Sequence, residues 1–250
     1  MDGVSIFFVL SGYLIGGILI KVLLRDGASW ETLKSFWIRR WFRTLPNYFL
    51  ILTVLALIFI AKNWNTDWSF IYQYYIFSQN LFSPHPEIFF PEAWSLSIEE
   101  WFYLTTPFIL LGMIRVLKLS VRESVWITAL SIIVIVTAFR CVRHTQISVT
   151  NFGLWDLNYR KQVGTRLDSL MFGVIGAYLM YFKKKLWLKY KLPLLILGVA
   201  LFVCIRVVHL YGIHGYGVYI NVFSFSLISL ATLLTLPYLG SFKKRKRSCR

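Results

Sequence analysis

Long apolar runs recur along the whole chain. A helix that crosses the roughly 30 Å hydrocarbon core of a bilayer needs about 20 mostly apolar residues. The runs that come near this length are 4–24, 45–61, 95–117, 124–142, 164–182, 192–210 and 218–239. Segment 70–82 is amphipathic and too short to cross unaided, since a helix rises about 1.5 Å per residue. The pattern predicts an all-α, polytopic membrane helix bundle of about seven spans with one short re-entrant or interfacial segment.

The distribution of lysine and arginine orients these spans. The positive-inside rule places the basic segments in the cytoplasm: 21–43, 115–123, 183–191 and 243–247. The connections with few or no basic residues are predicted to be external: 62–69, 83–93 and 211–217. If each of the seven runs crosses the membrane once, segment 70–82 must enter and leave on the outer face. The same count of crossings places the N-terminus outside. Loop 143–163 is the exception, because this scheme puts it outside although it carries Arg143, Arg160 and Lys161.

Composition excludes several classes of protein. A hydrophobic content of 57% with 15% charged residues is far from that of a soluble domain. Basic residues outnumber acidic ones, 27 to 11, but they cluster between apolar runs, and the aromatics lie in or beside the spans. We therefore expect membrane lipids as partners and no nucleic acid. Three cysteines without CxxC spacing indicate neither a disulfide framework nor a metal site. The chain is divided into a transmembrane domain, 1–242, and a basic cytoplasmic tail, 243–250.

Charged residues at the outer ends of two spans are candidates for catalysis, because ionisable groups in a membrane are costly and often functional. Glu99 and Glu100 lie in WSLSIEEWFYL at 94–104, and Arg166 and Asp168 lie in GTRLDSLMFGVIGAYL at 164–179. At least one glutamate should face the bundle, and either is a possible partner of Arg166. Two structural interpretations stay open: the glutamates stabilise a helix start, or the charges form a packing ion pair.

Three arginines on the inner side suggest a phosphate-binding site. Arg39, Arg40 and Arg43 lie in FWIRRWFRTLP at 36–46, and spacings of three and four place them on one helical surface. Guanidinium groups bind phosphate bidentately, so a phosphorylated cytosolic ligand is expected. The alternative is topology-setting charge beside anionic lipid.

Small residues and histidines receive structural interpretations. Gly12 with Gly16, and Ser169 with Gly173 and Ala177, recur every four residues, a spacing that lets helices approach closely. Each of the four histidines is isolated from any catalytic motif and is interpreted as a polar group at the membrane edge: His85, His144, His209 and His214.

Four segments resemble, in order, the signatures of the bacterial acyltransferase 3 family: DGVSIFFVLSGYLIG at 2–16, FWIRRWFRTLPNYF at 36–49, AWSLSIEEWFYL at 93–104 and RLDSLMFGVIGAYL at 166–179. The resemblance implies a bacterial inner-membrane enzyme that O-acetylates or otherwise acylates cell-envelope carbohydrate, such as lipopolysaccharide or another polysaccharide. The donor is an acyl-CoA, commonly acetyl-CoA, used as substrate and not as a bound cofactor. Arg39, Arg40 and Arg43 match the donor-associated basic motif on the cytoplasmic side. Glu99, Glu100, Arg166 and Asp168 fall outside, near the acceptor.

The resemblance also implies a catalytic histidine on a helix that normally precedes the DGVSIFFVLSG signature. No histidine of this sequence matches that position, so the chain alone is expected to be inactive and to gain activity when such a helix is supplied. The alternatives are a truncated, inactive fragment of the family and a small-molecule transporter. A transporter should show paired broken helices and internal repeats, which are not evident here.

The predicted orientation can be tested by cysteine labelling. Single cysteines introduced within 83–93 or 211–217 should react with an impermeant thiol reagent added outside intact cells, and cysteines within 183–191 should not. Labelling of 183–191 by the external reagent would reverse the whole topology.

Overall fold

The computed structural model describes residues 3–62, 68–81, 84, 89–212 and 217–245, and within these ranges the backbone forms helices and no strand. The α-helices, in chain order, are α1 Gly3–Asp26, α2 Trp30–Ala61, α3 Trp68–Tyr75, α4 Ala93–Arg115, α5 Val121–Gln146, α6 Phe152–Trp155, α7 Leu167–Phe182, α8 Lys184–Lys189, α9 Lys191–Val207 and α10 Ser224–Arg245. Short π-helical turns lie at Asp156–Arg160, Val208–Gly212 and Tyr219–Phe223, and a 3₁₀ turn at Val163–Thr165. The predicted all-α class is confirmed.

Most predicted spans are present as long apolar helices. By length and composition, five helices of the described ranges are suited to cross a membrane: Gly3–Asp26, Trp30–Ala61, Val121–Gln146, Lys191–Leu210 and Tyr219–Ser241. The predicted span 164–182 contains only a short apolar helix, α7. The predicted span 95–117 is α4, which carries two buried glutamates. These helices form a polytopic bundle.

The amphipathic segment forms only a short helix beside α2. Helix α3 has 8 residues, about 12 Å in length, so it is too short to cross a bilayer. The Tyr48 hydroxyl of α2 donates a hydrogen bond to the Tyr74 carbonyl at 3.0 Å. Aromatic side chains around this contact form a small apolar core separate from the main one.

Helix α2 is much longer than the predicted span 45–61. It begins at Trp30 and continues through Pro46 over 32 residues, about 48 Å. Its N-cap is Ser29, whose hydroxyl accepts a hydrogen bond from the Thr32 amide at 3.0 Å. The arginine-rich segment is therefore part of a membrane-length helix and not a connecting loop.

Helices α1 and α7 pack closely through glycines, as the spacing predicted. A β-carbon on Gly12 would overlap the Leu170 carbonyl, and one on Gly173 would overlap the Val9 carbonyl. A β-carbon on Gly16 would lie 3.2 Å from the Val174 α-carbon. Only a residue without a side chain permits this backbone approach.

The basic residues of loop 143–163 have partners inside the loop region. Asp156 accepts hydrogen bonds from Arg160 at 2.7 Å and from Lys161 at 2.6 Å. Arg143 donates to the Gln162 side chain. These contacts offset part of the positive charge, which gives a physical reason for the loop's departure from the positive-inside pattern.

The glycine contacts predict opposite effects for two neighbouring substitutions. Gly12→Ala should lower the free energy of unfolding by about 1–3 kcal/mol, because the added methyl group overpacks the α1–α7 contact. Gly17→Ala places its methyl group 4.0 Å from the Ala177 β-carbon. It should therefore be neutral or stabilising by up to about 1 kcal/mol, from the gain in helix propensity. Unfolding of the detergent-solubilised variants measures both, and equal losses would contradict the packing.

Candidate active site

Helices α2 and α4 run antiparallel and bring the arginine segment beside the glutamate segment. Arg115 at the end of α4 donates from Nε to the Ala28 carbonyl at 2.8 Å. Further along the pair, the Trp37 indole donates to the Tyr103 carbonyl at 2.7 Å. The register set by these contacts places the first turns of α4 beside the middle of α2.

A hydrogen-bonded group joins α1, α2 and α4. The Arg40 guanidinium lies over the Tyr103 ring, 4.5 Å from its centroid, and donates to the Tyr103 hydroxyl. That hydroxyl also shares a hydrogen bond of 3.1 Å with the buried Ser11 hydroxyl. Charge-assisted and cation–π contacts strengthen in a medium from which water is excluded, so Tyr103 fixes the position of Arg40.

Both predicted glutamates are in this group, each only 5% exposed. Glu100 accepts hydrogen bonds from the Trp41 indole at 3.0 Å and from the Thr44 hydroxyl at 3.5 Å. The polar neighbours of Glu99 are the hydroxyls of Ser11 and Tyr103 and the charge of Arg40. Within the described part of the chain, the buried Oε1 of Glu99 has no hydrogen-bond partner. The expectation that at least one glutamate faces the bundle is confirmed.

The predicted separation of the arginines from the glutamates by the membrane is wrong for Arg40. Arg40 touches Tyr103, one helical turn from Glu99, whereas opposite membrane faces are about 30 Å apart. Arg39 and Arg43 are exposed on α2, and Arg39 donates to the Ser35 carbonyl of its own helix at 3.2 Å. The spacings of three and four hold in the continuous helix α2, but the three side chains differ in their surroundings: Arg40 is half-buried against Tyr103, and Arg39 and Arg43 are exposed.

Asp168 belongs to a second buried group, which joins α5, α7 and α10. Its Oδ2 accepts from Arg140 Nη2 and from the Ser226 hydroxyl, both at 2.7 Å, and both members of the ion pair are fully buried. Arg140 also donates to the Thr165 carbonyl at 3.1 Å. Sequence reasoning missed Arg140, although it lies inside the predicted span 124–142, where a charge is costly and therefore informative.

Arg166 lies beside this second group. Its Nη2 donates to the Ser5 hydroxyl of α1 at 2.8 Å, and its guanidinium lies 4.0 Å from the centroid of the Phe225 ring. Glu99 and Glu100, the possible partners named from the sequence, instead have Arg40 as their basic neighbour among the described residues. Ser5 and Ser11 are about 9 Å apart along α1, so the two polar groups lie at successive levels of one helix.

The two histidines that the structure describes are hydrogen-bonded to groups other than Glu99 and Glu100. His144 is hydrogen-bonded to the Asn221 side chain at 3.0 Å, and the His209 ring to the Ile205 carbonyl at 2.8 Å. His85, His214 and residues 246–250 of the predicted tail lie outside the described residues. In the ranges that are described, no group of three or more His, Cys, Asp or Glu side chains is placed to hold a metal ion.

Proteins of three bacterial species are similar to this chain in sequence. A putative O-acetyltransferase of Staphylococcus aureus (strain COL) is 32% identical over 198 residues, which cover 71% of this chain and 30% of that protein. The peptidoglycan O-acetyltransferase OatA of Listeria monocytogenes is 34% identical over 160 residues, 51% of this chain and 24% of that protein. The putative peptidoglycan O-acetyltransferase YrhL of Bacillus subtilis is 31% identical over 144 residues, 51% of this chain and 22% of that protein.

The chain thus spans about a third or less of the length of these relatives. No solved structure matches it. The family model described as an acyltransferase domain matches residues 3–249, nearly the entire sequence, with the glutamate and arginine segments of α2, α4 and α7 inside the match. The chain is a multi-pass membrane protein that belongs to the acyltransferase 3 family.

Proposed function

We propose that this protein transfers an acetyl group from cytosolic acetyl-CoA to a hydroxyl of a cell-envelope carbohydrate, in the bacterial inner membrane. The observation that carries the proposal is the group of the half-buried Arg40 with the buried Tyr103 and Glu99 at the junction of α1, α2 and α4. Family membership and the names of the relatives, two of which specify peptidoglycan, support acyl transfer and a carbohydrate acceptor.

The transfer requires a proton acceptor and an anion stabiliser. The acceptor oxygen forms a bond to the thioester carbonyl carbon and loses its proton to a base; the carbon–sulfur bond then breaks, and the CoA sulfur leaves and takes up a proton. Glu99 is the residue we assign to receive the first proton, directly or from an imidazole that it orients. Its Oε1 has no partner among the described residues, which leaves it available for this hydrogen bond.

Arg40 suits the tetrahedral oxyanion that forms in this reaction. Its Nε is buried and has no hydrogen-bond partner among the described residues, while its other end is held by Tyr103. A fixed donor in a site that excludes water stabilises a developing negative charge without reorganising, an effect typically worth about 10²–10³ in rate.

The remaining candidates receive supporting roles in the proposal. Glu100 is occupied by Trp41 and Thr44, which suits a carboxylate that fixes α2 against α4. Arg166 and Asp168 lie in the second polar group and are assigned to the external, acceptor end of α1. Asp168 acts there by holding Arg140, which ties α5 to α7.

The exposed arginines of α2 are assigned to the donor. Arg39 and Arg43 are on the same helix as Arg40 but face outward. Guanidinium groups there suit the phosphates of CoA. The thioester would then extend from these phosphates toward Arg40.

The donor assignment predicts a loss of binding in Arg43→Ala. Its dissociation constant for acetyl-CoA should rise by a factor that corresponds to about 1.5–3 kcal/mol, the scale of a charged hydrogen bond. Calorimetric titration of the protein in detergent micelles measures the change. Lys34→Ala, which removes another exposed cation of α2, is the matched control and should bind normally. If the affinity for acetyl-CoA is unchanged in both Arg39→Ala and Arg43→Ala, these arginines serve only to orient the helix in the membrane.

The proton-acceptor assignment predicts different effects for the two adjacent glutamates. Glu99→Gln should lower the transfer rate by about 10²–10⁴, because an amide cannot take up the proton. Glu100→Gln keeps an oxygen that accepts from Trp41 and should lose less than about tenfold, the scale of one neutral hydrogen bond. Both rates are measured as transfer from labelled acetyl-CoA to envelope glycans in reconstituted membranes. The two variants are made in the form of the protein, with or without an added N-terminal helix, that gives the faster wild-type transfer.

Glu92→Gln controls for the loss of a carboxylate at the start of the same helix, since Glu92 is exposed and makes no capping hydrogen bond. It should retain the full rate. A normal rate in Glu99→Gln, or a larger loss in Glu100→Gln than in Glu99→Gln, would reverse the roles assigned to the two carboxylates.

A further inference from the structure

An open groove lies between α1 and α7, away from the polar group that α1 forms with α2 and α4. Its volume is about 260 Å³, and its lining includes Leu14, Gly17, Ile18, Lys21, Ala177 and Tyr181. The groove is open at its base because Gly17 has no side chain and Ala177 has only a methyl group. A β-carbon added to Gly17 would lie 4.0 Å from that methyl group. The groove is thus a space along two packed helices, with apolar walls.

The groove ends at a positive charge, which the predicted orientation of α1 places near the inner membrane boundary. Lys21 lies 18 residues after Gly3, about 27 Å along α1, which is close to the thickness of the hydrocarbon core. It is exposed and forms no ion pair with any described residue. Tyr181 stands at the same end, just before the lysines 183–185. Tyrosine and lysine at this depth are typical of contact with lipid headgroups.

We propose that this groove binds an anionic phospholipid, with one acyl chain between α1 and α7 and the headgroup phosphate at Lys21. The apolar walls match a hydrocarbon chain, and the exposed ammonium group of Lys21 at the end of the groove matches the negative charge of a headgroup phosphate. Basic pockets between membrane helices on the cytoplasmic side are known to favour such headgroups. The inference depends on the predicted orientation of α1 and is independent of the proposed acyl transfer.

Native mass spectrometry of the protein in a mild detergent tests the proposal. Equal amounts of dioleoyl phosphatidylglycerol and dioleoyl phosphatidylcholine are added, and the bound fractions are compared. The wild type should retain phosphatidylglycerol preferentially. Lys21→Gln should lower the bound phosphatidylglycerol about fivefold, the effect of removing one basic residue near a headgroup, and Gly17→Leu should lower binding of both lipids by filling the groove.

Lys34→Gln removes an exposed cation from α2, outside the groove, and should bind like the wild type. Equal retention of the two lipids by the wild type would overturn the proposal in favour of a nonspecific lipid boundary. Unchanged binding in Lys21→Gln would also overturn it. Displacement of the bound lipid by acetyl-CoA would instead assign the groove to the donor, and a dimer that Gly17→Leu converts to a monomer would assign it to a second copy of the chain.

Discussion

Pairing of buried charge inside an apolar bundle is the constraint on which this structure depends. A charged side chain at the centre of a membrane helix costs about 2.5–3.5 kcal/mol on insertion scales, unless neighbouring helices supply partners. Arg40 binds Tyr103 across the α2–α4 contact, where its charge acts on Glu99 and Glu100, and Arg140 pairs with Asp168 across the α5–α7 contact. Each group therefore fixes which helices meet and in which register, where apolar side chains alone would permit many arrangements.

Helix α1 connects the two polar groups. One of its faces is made of small residues, and the Gly12 and Gly16 positions lie against α7. Its serines serve the polar groups: Ser5 accepts from Arg166, and Ser11 bonds with Tyr103. Replacing glycine or serine with a bulky apolar residue would separate α1 from its neighbours or remove a hydrogen bond. The alternation of small and apolar residues in the first signature therefore has a structural reason.

Much of the fold could be predicted from the sequence, because hydropathy and the spacing of small residues are local properties. The apolar runs and the small-residue faces of α1 and α7 are of this kind, whereas the contact of these two helices with each other is shown by the structure. The start of α2 was missed because Lys34, Arg39, Arg40 and Arg43 lower the hydropathy of a segment that is nonetheless helical, and Ser29, its N-cap, was not interpreted as a start signal.

The arrangement of the candidate site could not be predicted in the same way. A charge near the end of a span has the same sequence pattern whether it faces the cytoplasm or a partner on another helix. The direction of Arg40 depends on Tyr103, 63 residues away, and the partner of Asp168 is 28 residues before it. Contacts between residues this far apart along the chain leave no periodic pattern in the sequence. The sequence therefore indicates which residues are charged but not which of them meet.

The central claim is that the arginine segment of α2 and the glutamate segment of α4 form one site within the bundle. Cross-linking in membranes tests it directly, with Thr44→Cys and Glu100→Cys introduced after Cys141, Cys204 and Cys249 are replaced by serine. In the structure the native side chains at positions 44 and 100 approach to 3.5 Å, so a short bifunctional cross-link between the two cysteines should form efficiently. If position 44 instead cross-links to a cysteine at position 111 or 114, nearer the inner end of α4, the arginine segment lies away from Glu99 and Glu100 and the shared site does not exist.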